Sequence, residues 1–466
     1  MTQEKRHRLR EWWAGLTGAV GSFFRRLFKR REARKTPPPD APHPRAQDLT
    51  HGPAVPTPTG GITRRRKRRR LVRDVVLALV AAFTLFSLYN LQVQFPAKSF
   101  AVYPRLGGYY AYRGVLGVHS RYSDGASRYG EIAVLARKAD LDFVVFTDVN
   151  SMRARKEGQV GNYGHLYILC GAELERPEGK LWILGPKTLP KGLSRDTASI
   201  CAEVNSKGLS VVAMPLDPEE PWSDWNLDDF TALEVVNLRS LWRRADPLTW
   251  LGAVGVNLLD GPRSYARLGV DQAVFTLWDE LCRTRPVVGL ASVEVLGQSK
   301  VLGDWYMYVP SYESAFDTIQ TYVLLPMRLP NNPDLASVLI TGALARGHCF
   351  GCIAPIGDGR GFRFTARSGG ETVIMGDQLN LGDEPAVLEA YCPPAQGVEL
   401  LLIRDGELVK RFSESRFVYQ IAQPGVYRVE AWVEAPNLPW GTVRRLWLFS
   451  NPIYVRPATI VRGAGP

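Results

Sequence analysis

At 466 residues the chain exceeds what one compact core fills, so two or more domains are expected. Its formal charge of +12 is unevenly spread: residues 1–70 hold 19 Lys and Arg against 5 Asp and Glu, a local +14, and the remainder sums to −2. That near-neutral remainder excludes a phosphate-tracking groove, so nucleic acid is not an expected partner, and six cysteines scattered over a large region (Cys170, Cys201, Cys282, Cys349, Cys352, Cys392) exclude a disulfide framework.

Taken in order, residues 8–31 place Trp12, Trp13, Leu16, Val20, Phe23, Phe24, Leu27 and Phe28 at three- and four-residue spacing, with Arg25, Arg26, Lys29, Arg30 and Arg31 at the end. The pattern predicts a basic amphipathic segment (1–35) on an anionic membrane surface, a solvated tail being the alternative. Residues 36–70 are expected to form a disordered linker, Pro-rich first and then cationic over 64–70. The 21 residues 71–91, interrupted by Arg73 and Asp74 at the start and Asn90 at the end, would reach about 32 Å as a helix and are expected to cross a bilayer once. The cationic run before them places the N-terminus in the cytoplasm and the main domains outside an inner (cell) membrane.

Beyond that helix, 115–118 is a short apolar run ending on His119, followed by a polar turn with Ser123-Asp124-Gly125. Tyr129, Ile132, Leu135 and Ala136 then recur at helical spacing, and 141–146 is a second apolar run ending on Thr147-Asp148. This strand–helix–strand unit places its polar residues at strand C-termini, where βα folds carry their chemistry.

The unit resembles the opening of the polymerase and histidinol phosphatase (PHP) superfamily of metal-dependent phosphoesterases, with its His-x-His pair, Ser-Asp-Gly turn and Thr-Asp-His strand end. His119 and Asp148 stand at family positions, whereas Arg121 replaces the second histidine of the pair and Val149 the histidine after Thr-Asp. The resemblance continues through 163–173, which places Glu173 at a ligand position, and through 181–185, where Lys180 is the residue nearest a missing histidine. In 211–215 Met214 replaces a histidine, and in Ala291-Ser292-Val293-Glu294-Val295 both ligands have become Val293 and Val295. Residues 334–349 resemble the helix, turn and strand that end the family's barrel.

The resemblance implies a distorted βα barrel (92–356). After it, short alternating segments predict a small all-β, immunoglobulin-like sandwich (357–466), with a two-residue hairpin turn at Asp405-Gly406. Cys349 and Cys352 lie on a strand-like run, where residues three apart face opposite ways, and read as structural thiols.

His119, Asp148 and Glu173 are too few for a multi-metal phosphoesterase centre. No cofactor is expected, or at most one weakly bound divalent metal. The resulting expectation is a membrane-anchored pseudoenzyme that binds an anionic ligand or an extracytoplasmic protein partner. A phosphoesterase with a reduced site is one alternative, and a structural spacer whose N-terminal arm does the work is the other. Arg121 and Lys180 are expected to neutralise Asp148 and Glu173, or to hold an anion with His119 beside them.

Overall fold

The computed structural model describes residues 60–91 and 108–457, apart from short stretches at 247–248, 251–252, 254–260, 263–267, 303–304, 308–309, 383, 396 and 437–441. The expected surface segment and the Pro-rich part of the linker lie outside the described residues. The chain divides into two compact units, Met1–Val72 and Arg73–Pro466.

Helix α1 (Gly60–Leu91) begins earlier than the sequence pattern predicts. Past Pro58 nothing breaks a helix, and Arg and Lys are good helix formers, so the cationic run is helical and is not part of a disordered linker. Among the described residues no helix is long and apolar enough to cross a membrane. Side chains of α1 are described for 71–86, where Arg73 and Asp74 form an exposed ion pair of 2.9 Å.

After α1 the second unit continues with β1 (Tyr110–Val118), α2 (Tyr129–Lys138), β2 (Phe143–Phe146), the single turn α3 (Arg153–Lys156), β3 (Gly161–Tyr163) and β4 (Leu166–Cys170). There follow β5 (Ala172–Arg176), β6 (Gly179–Leu184), α4 (Thr197–Asn205), β7 (Leu209–Ala213), β8 (Ala232–Asn237), α5 (Leu238–Arg244), α6 (Gln272–Thr284) and β9 (Val288–Ser292). The α/β part ends with β10 (Ser299–Leu302), β11 (Trp305–Met307), α7 (Tyr312–Phe316), β12 (Ile319–Leu325), α8 (Pro333–Arg346) and β13 (Cys349–Ile353). Helix α2 forms where the apolar spacing predicts it: Tyr129, Ile132, Ala133 and Ala136 are buried, and the Arg128 N–H donates to Glu131 in a capping box. Helix α8 starts on Asn332, which accepts from the Leu335 N–H, and stops at Gly347 in the left-handed conformation.

Two sheets carry this part. In one, β1 runs parallel to β2 and β2 to β4, with β12 and β13 antiparallel on the other side of β1. The other has the order β5-β6-β7-β8-β9 and is parallel from β7 onward. Two parallel bridges join the sheets, Val118 with Val295 and Val149 with Glu173, so the C-terminal ends of β1, β2 and β9 meet the head of β5.

The rest is antiparallel apart from one pair. Strands β14 (Arg363–Ser368), β15 (Glu371–Ile374), β17 (Ala386–Tyr391) and β20 (Arg416–Ile421) form a four-stranded sheet. Strands β16 (Gln378–Asn380), β18 (Val398–Arg404), β19 (Glu407–Phe412), β21 (Gly425–Pro436), β22 (Thr442–Ser450) and β23 (Ile453–Arg456) belong to a second, larger sheet, with β16 parallel to β23. Asp405 and Gly406 both take positive φ, 51° and 85°, as a two-residue hairpin turn requires. This larger sheet is continuous with the α/β part, because β22 pairs antiparallel with β13. Asn451 locks this junction: its Oδ1 accepts from the Gly289 N–H at 2.7 Å, and its Nδ2 donates to the carbonyls of Gly289 and Cys349. All six cysteines are buried, and none is in a disulfide.

Candidate functional site

The site sits where the strand ends meet. Gly117 has φ +77°, and a Cβ there would lie 2.9 Å from the Trp182 ring and 3.0 Å from Glu294 Oε2. Only glycine fits, and the register shift it allows between Leu116 and Val118 delivers His119 to the interior. His119 is fully buried, with Nδ1 2.8 Å from Asp124 Oδ1 and Nε2 3.1 Å from Glu294 Oε1.

Glu294 reaches this point through strain of its own. Its φ of 43° breaks strand alternation, so the carboxylate turns inward between two valines that are themselves buried. The backbone of β9 continues past β1 through the Val293 N–H to Leu116 O and the Val295 N–H to Gly117 O, which fixes the turn. Glu294 Oε2 is buried and makes no hydrogen bond.

Glu173 stands opposite Trp182 in the β5–β6 ladder, and its Oε2 accepts from the Trp182 indole N–H at 3.1 Å. Lys180, diagonal to it on the same face, places Nζ 3.0 Å from Glu173 Oε1 and 3.4 Å from Glu220. Arg239, near the start of α5, reaches to 3.9 Å from Glu294 Oε1. Glu234 on β8 is also buried: it accepts from the Met214 N–H at 2.6 Å, from Asn237 Nδ2 and from the Ser292 hydroxyl.

Charge within this interior is mutually compensated. Burial alone would lower the His119 pKa, but Glu294 and Asp124 outweigh it and hold the imidazolium well above its usual range. Despite burial, His119 keeps both Glu294 and Asp124 below the ordinary carboxylate range. Glu173 is pushed up to about 7 by burial and then by Glu294, against His119 and Lys180. Burial and then Glu294 push Glu234 up to about 8.

His119, Glu173 and Lys180 therefore converge as the sequence motifs imply, while other expected positions do not. Asp148 is buried but accepts only neutral donors: the Ser120 N–H at 2.7 Å and the hydroxyls of Ser120, Ser123 and Tyr129. Arg121 does not reach it. It is exposed and donates from Nε to the Ala126 carbonyl at 2.7 Å, which corrects the expected Arg121–Asp148 pair. The Ser-Asp-Gly turn satisfies Asp148 with hydroxyls, so no cation is needed there. Val149 is half-buried, and Met214, Val293 and Val295 are buried. Sequence reasoning missed Glu294, Glu234, Asp124 and Arg239 as members. A carboxylate inside the apolar runs ALEVVN and ASVEV was the signal for the first two.

A single divalent cation can be tested against these residues. His119, Glu173 and Glu294 offer ligand atoms within 4.8 Å of one another, and Asp124 on His119 Nδ1 is the outer carboxylate that orients a ligating imidazole. The unpartnered Glu294 Oε2 fits the same role. Lys180 and Arg239 oppose it, since each places a positive charge on one of the two carboxylates. Among the described residues no second cluster of this kind exists.

No protein family's sequence pattern matches the chain, and no characterised protein matches it in sequence. Among solved structures it is similar to a two-domain protein containing a predicted PHP-like metal-dependent phosphoesterase from Bacteroides vulgatus ATCC 8482. The identity is 13%, the TM-score 0.35, and the match spans 75% of this chain and 98% of that one.

Proposed function

We propose that the chain is a degenerate PHP-like module that binds rather than hydrolyses, with a charged cluster standing where a metal centre would be. The observation that carries this reading is that the chain supplies its own cations to the buried carboxylates: Lys180 to Glu173, and protonated His119 to Glu294 and Asp124. Hydroxide generation and phosphoryl polarisation need several metal-borne charges, and this donor set offers ligands for one. The motif order and the two bridges between the sheets support a distorted βα barrel. The mostly antiparallel strands of two sheets after residue 357 support an immunoglobulin-like sandwich. Residues 60–91, basic and then apolar, support attachment to an inner membrane with the larger unit outside and an anionic ligand or protein partner there.

The second reading, one weakly held divalent ion on His119, Glu173 and Glu294, is favoured by the unpartnered Glu294 Oε2. When bound, such an ion would supply Lewis-acid polarisation; Asp124 would orient His119, and Lys180 would have to leave Glu173.

Metal analysis of the full chain purified in detergent decides between them, together with hydrolysis of p-nitrophenyl phosphate and its diester with and without chelator. Sub-stoichiometric zinc, manganese and iron with no chelator-sensitive hydrolysis is expected. One tightly bound metal per chain with chelator-sensitive turnover overturns the binding reading. Protease added outside spheroplasts should digest the larger unit and spare the N-terminal arm; the reverse pattern defeats the orientation.

A further inference from the structure

The strands of the α/β part have a second end, opposite the charged cluster, and α8 closes it. Ile340, Ala343 and Leu344 on its inner face share one buried cluster with Phe143, Leu209 and Val288, each the first residue of its strand, and with Leu325, the last residue of antiparallel β12. The segment before α8 lies across the same end: the Leu329 N–H donates to the Tyr112 hydroxyl at 2.8 Å, and the Tyr167 hydroxyl donates to the Pro330 carbonyl at 2.9 Å.

The outer face of α8 is apolar as well. Leu335, Val338, Leu339 and Gly342 fall on one stripe at three- and four-residue spacing. Leu335 is 50% exposed and Val338 64%, and Met327 in the preceding segment is 53% exposed. A helix that is apolar on both sides and packed on one has a side that calls for a partner.

Two observations identify that partner. The chain enters this part at Tyr109 and Tyr110, where Tyr110 pairs with Leu325, and the sixteen residues 92–107 join Leu91 of the apolar helix to Gly108. The tether is therefore attached at the end that carries the apolar stripe, not at the charged cluster. The margin of the stripe is also cationic and aromatic. Arg328 is exposed with its guanidinium 5.7 Å from the Tyr110 ring centroid, Arg346 is exposed at the far end of α8, and Asp334 is offset by Lys187 at 3.3 Å and Arg155 at 3.8 Å. Apolar side chains edged by Arg, Lys and Tyr are the composition that lies in the headgroup region of an anionic bilayer.

We propose that the outer face of α8, with Met327 and Arg328, seats in the headgroup layer of an anionic phospholipid bilayer. This contact, which rests on the membrane attachment proposed above, holds the larger part against the lipid with its charged cluster turned away. Because the tether keeps the face at high local concentration, three exposed apolar side chains and a few cations suffice.

The test uses the full chain in vesicles of mixed phosphatidylcholine and phosphatidylglycerol. An environment-sensitive fluorophore is placed on Val338→Cys or, at the opposite end, on Arg121→Cys; the six native thiols are buried and stay unlabelled. Nitroxide-bearing lipid should quench the label at Val338→Cys by at least about twofold and leave the label at Arg121→Cys unchanged. Leu335→Glu with Val338→Glu alters two exposed side chains and should fold normally, while a label at Met327→Cys should then lose the quenching it shows in the natural background. Flotation after an alkaline wash reads the attachment itself. A chain that floats but is quenched no more at Val338→Cys than at Arg121→Cys overturns this contact and leaves the attachment standing. So does a label at Val338→Cys that is shielded from iodide without being quenched by lipid, the mark of a second copy on this face. A chain that does not float defeats the attachment and this contact with it.

Discussion

Glu234→Gln tests whether the buried interior is held by compensated charge. Burial, followed by Glu294, moves the Glu234 carboxyl from 4.5 up to about 8, so the folded protein keeps a proton that the unfolded chain gives up above 4.5. The stability this provides is complete below pH 4.5 and is lost as the pH rises through about 8. A displacement from 4.5 to about 8, at about 1.4 kcal/mol per pH unit, is a loss on the order of 5 kcal/mol across that window. The amide cannot ionise, and it still accepts from the Met214 N–H and can donate to the Ser292 hydroxyl. The variant should therefore be no more stable than the natural protein at pH 5, or worse by about 1 kcal/mol for imperfect hydrogen bonding. At pH 9 it should be the more stable by several kcal/mol. At about 2–4 °C per kcal/mol as an upper scale, the melting temperatures should cross and then separate by up to roughly 10 °C. Thermal unfolding of the full chain in detergent, followed by tryptophan fluorescence at half-unit pH steps, reads this directly. A constant offset between the two proteins from pH 5 to pH 9 would refute the reasoning, because it would mean that Glu234 titrates alike in both states.

Lys180→Met should destabilise by about 3–5 kcal/mol at pH 8, since it leaves the Glu173 carboxylate buried without its cation, and by less at pH 6, where Glu173 can take a proton; urea midpoints at the two pH values check it. Arg121→Ala should change stability by less than about 0.5 kcal/mol, because an exposed Nε–H to a carbonyl is all that is lost; a drop of several degrees in melting temperature would reinstate a structural charge pair with Asp148. Asn451→Ala should cost about 2–4 kcal/mol by orphaning the Gly289 N–H and the Gly289 and Cys349 carbonyls, and faster hydrogen exchange at Gly289 should accompany the loss.

Much of the fold was legible because its signals are local. The helical spacing from Tyr129 to Ala136 and the Asp405-Gly406 turn each require only a few neighbouring residues, and each element forms there. The site was legible where strand order brings distant residues together, as with His119, Glu173 and Lys180. It was illegible where one backbone angle overrides periodicity. Alternation assigns Val293 and Val295 to one face and Glu294 to the other, and the positive φ at Glu294 puts all three inside. The fate of Arg121 was hidden for another reason. Three hydroxyls and an N–H can solvate Asp148 as well as a cation can, and composition does not show which the chain chose.

The β13–β22 pairing has a consequence for how the chain is made. Strand β13 ends at Ile353 and its partner residues run to Ser450, so 97 residues must emerge before that edge is covered. At about 5–20 residues per second, synthesis leaves the edge open for roughly 5–19 seconds, far longer than a hairpin needs to close. During that interval β13, with Cys349, Phe350 and Cys352 on it, is a sticky template for any other extended chain. A protein cut after residue 356 would hold that state permanently and should aggregate rather than persist as an isolated α/β piece. For this chain, the last strands to be synthesised are a condition for the solubility of the first.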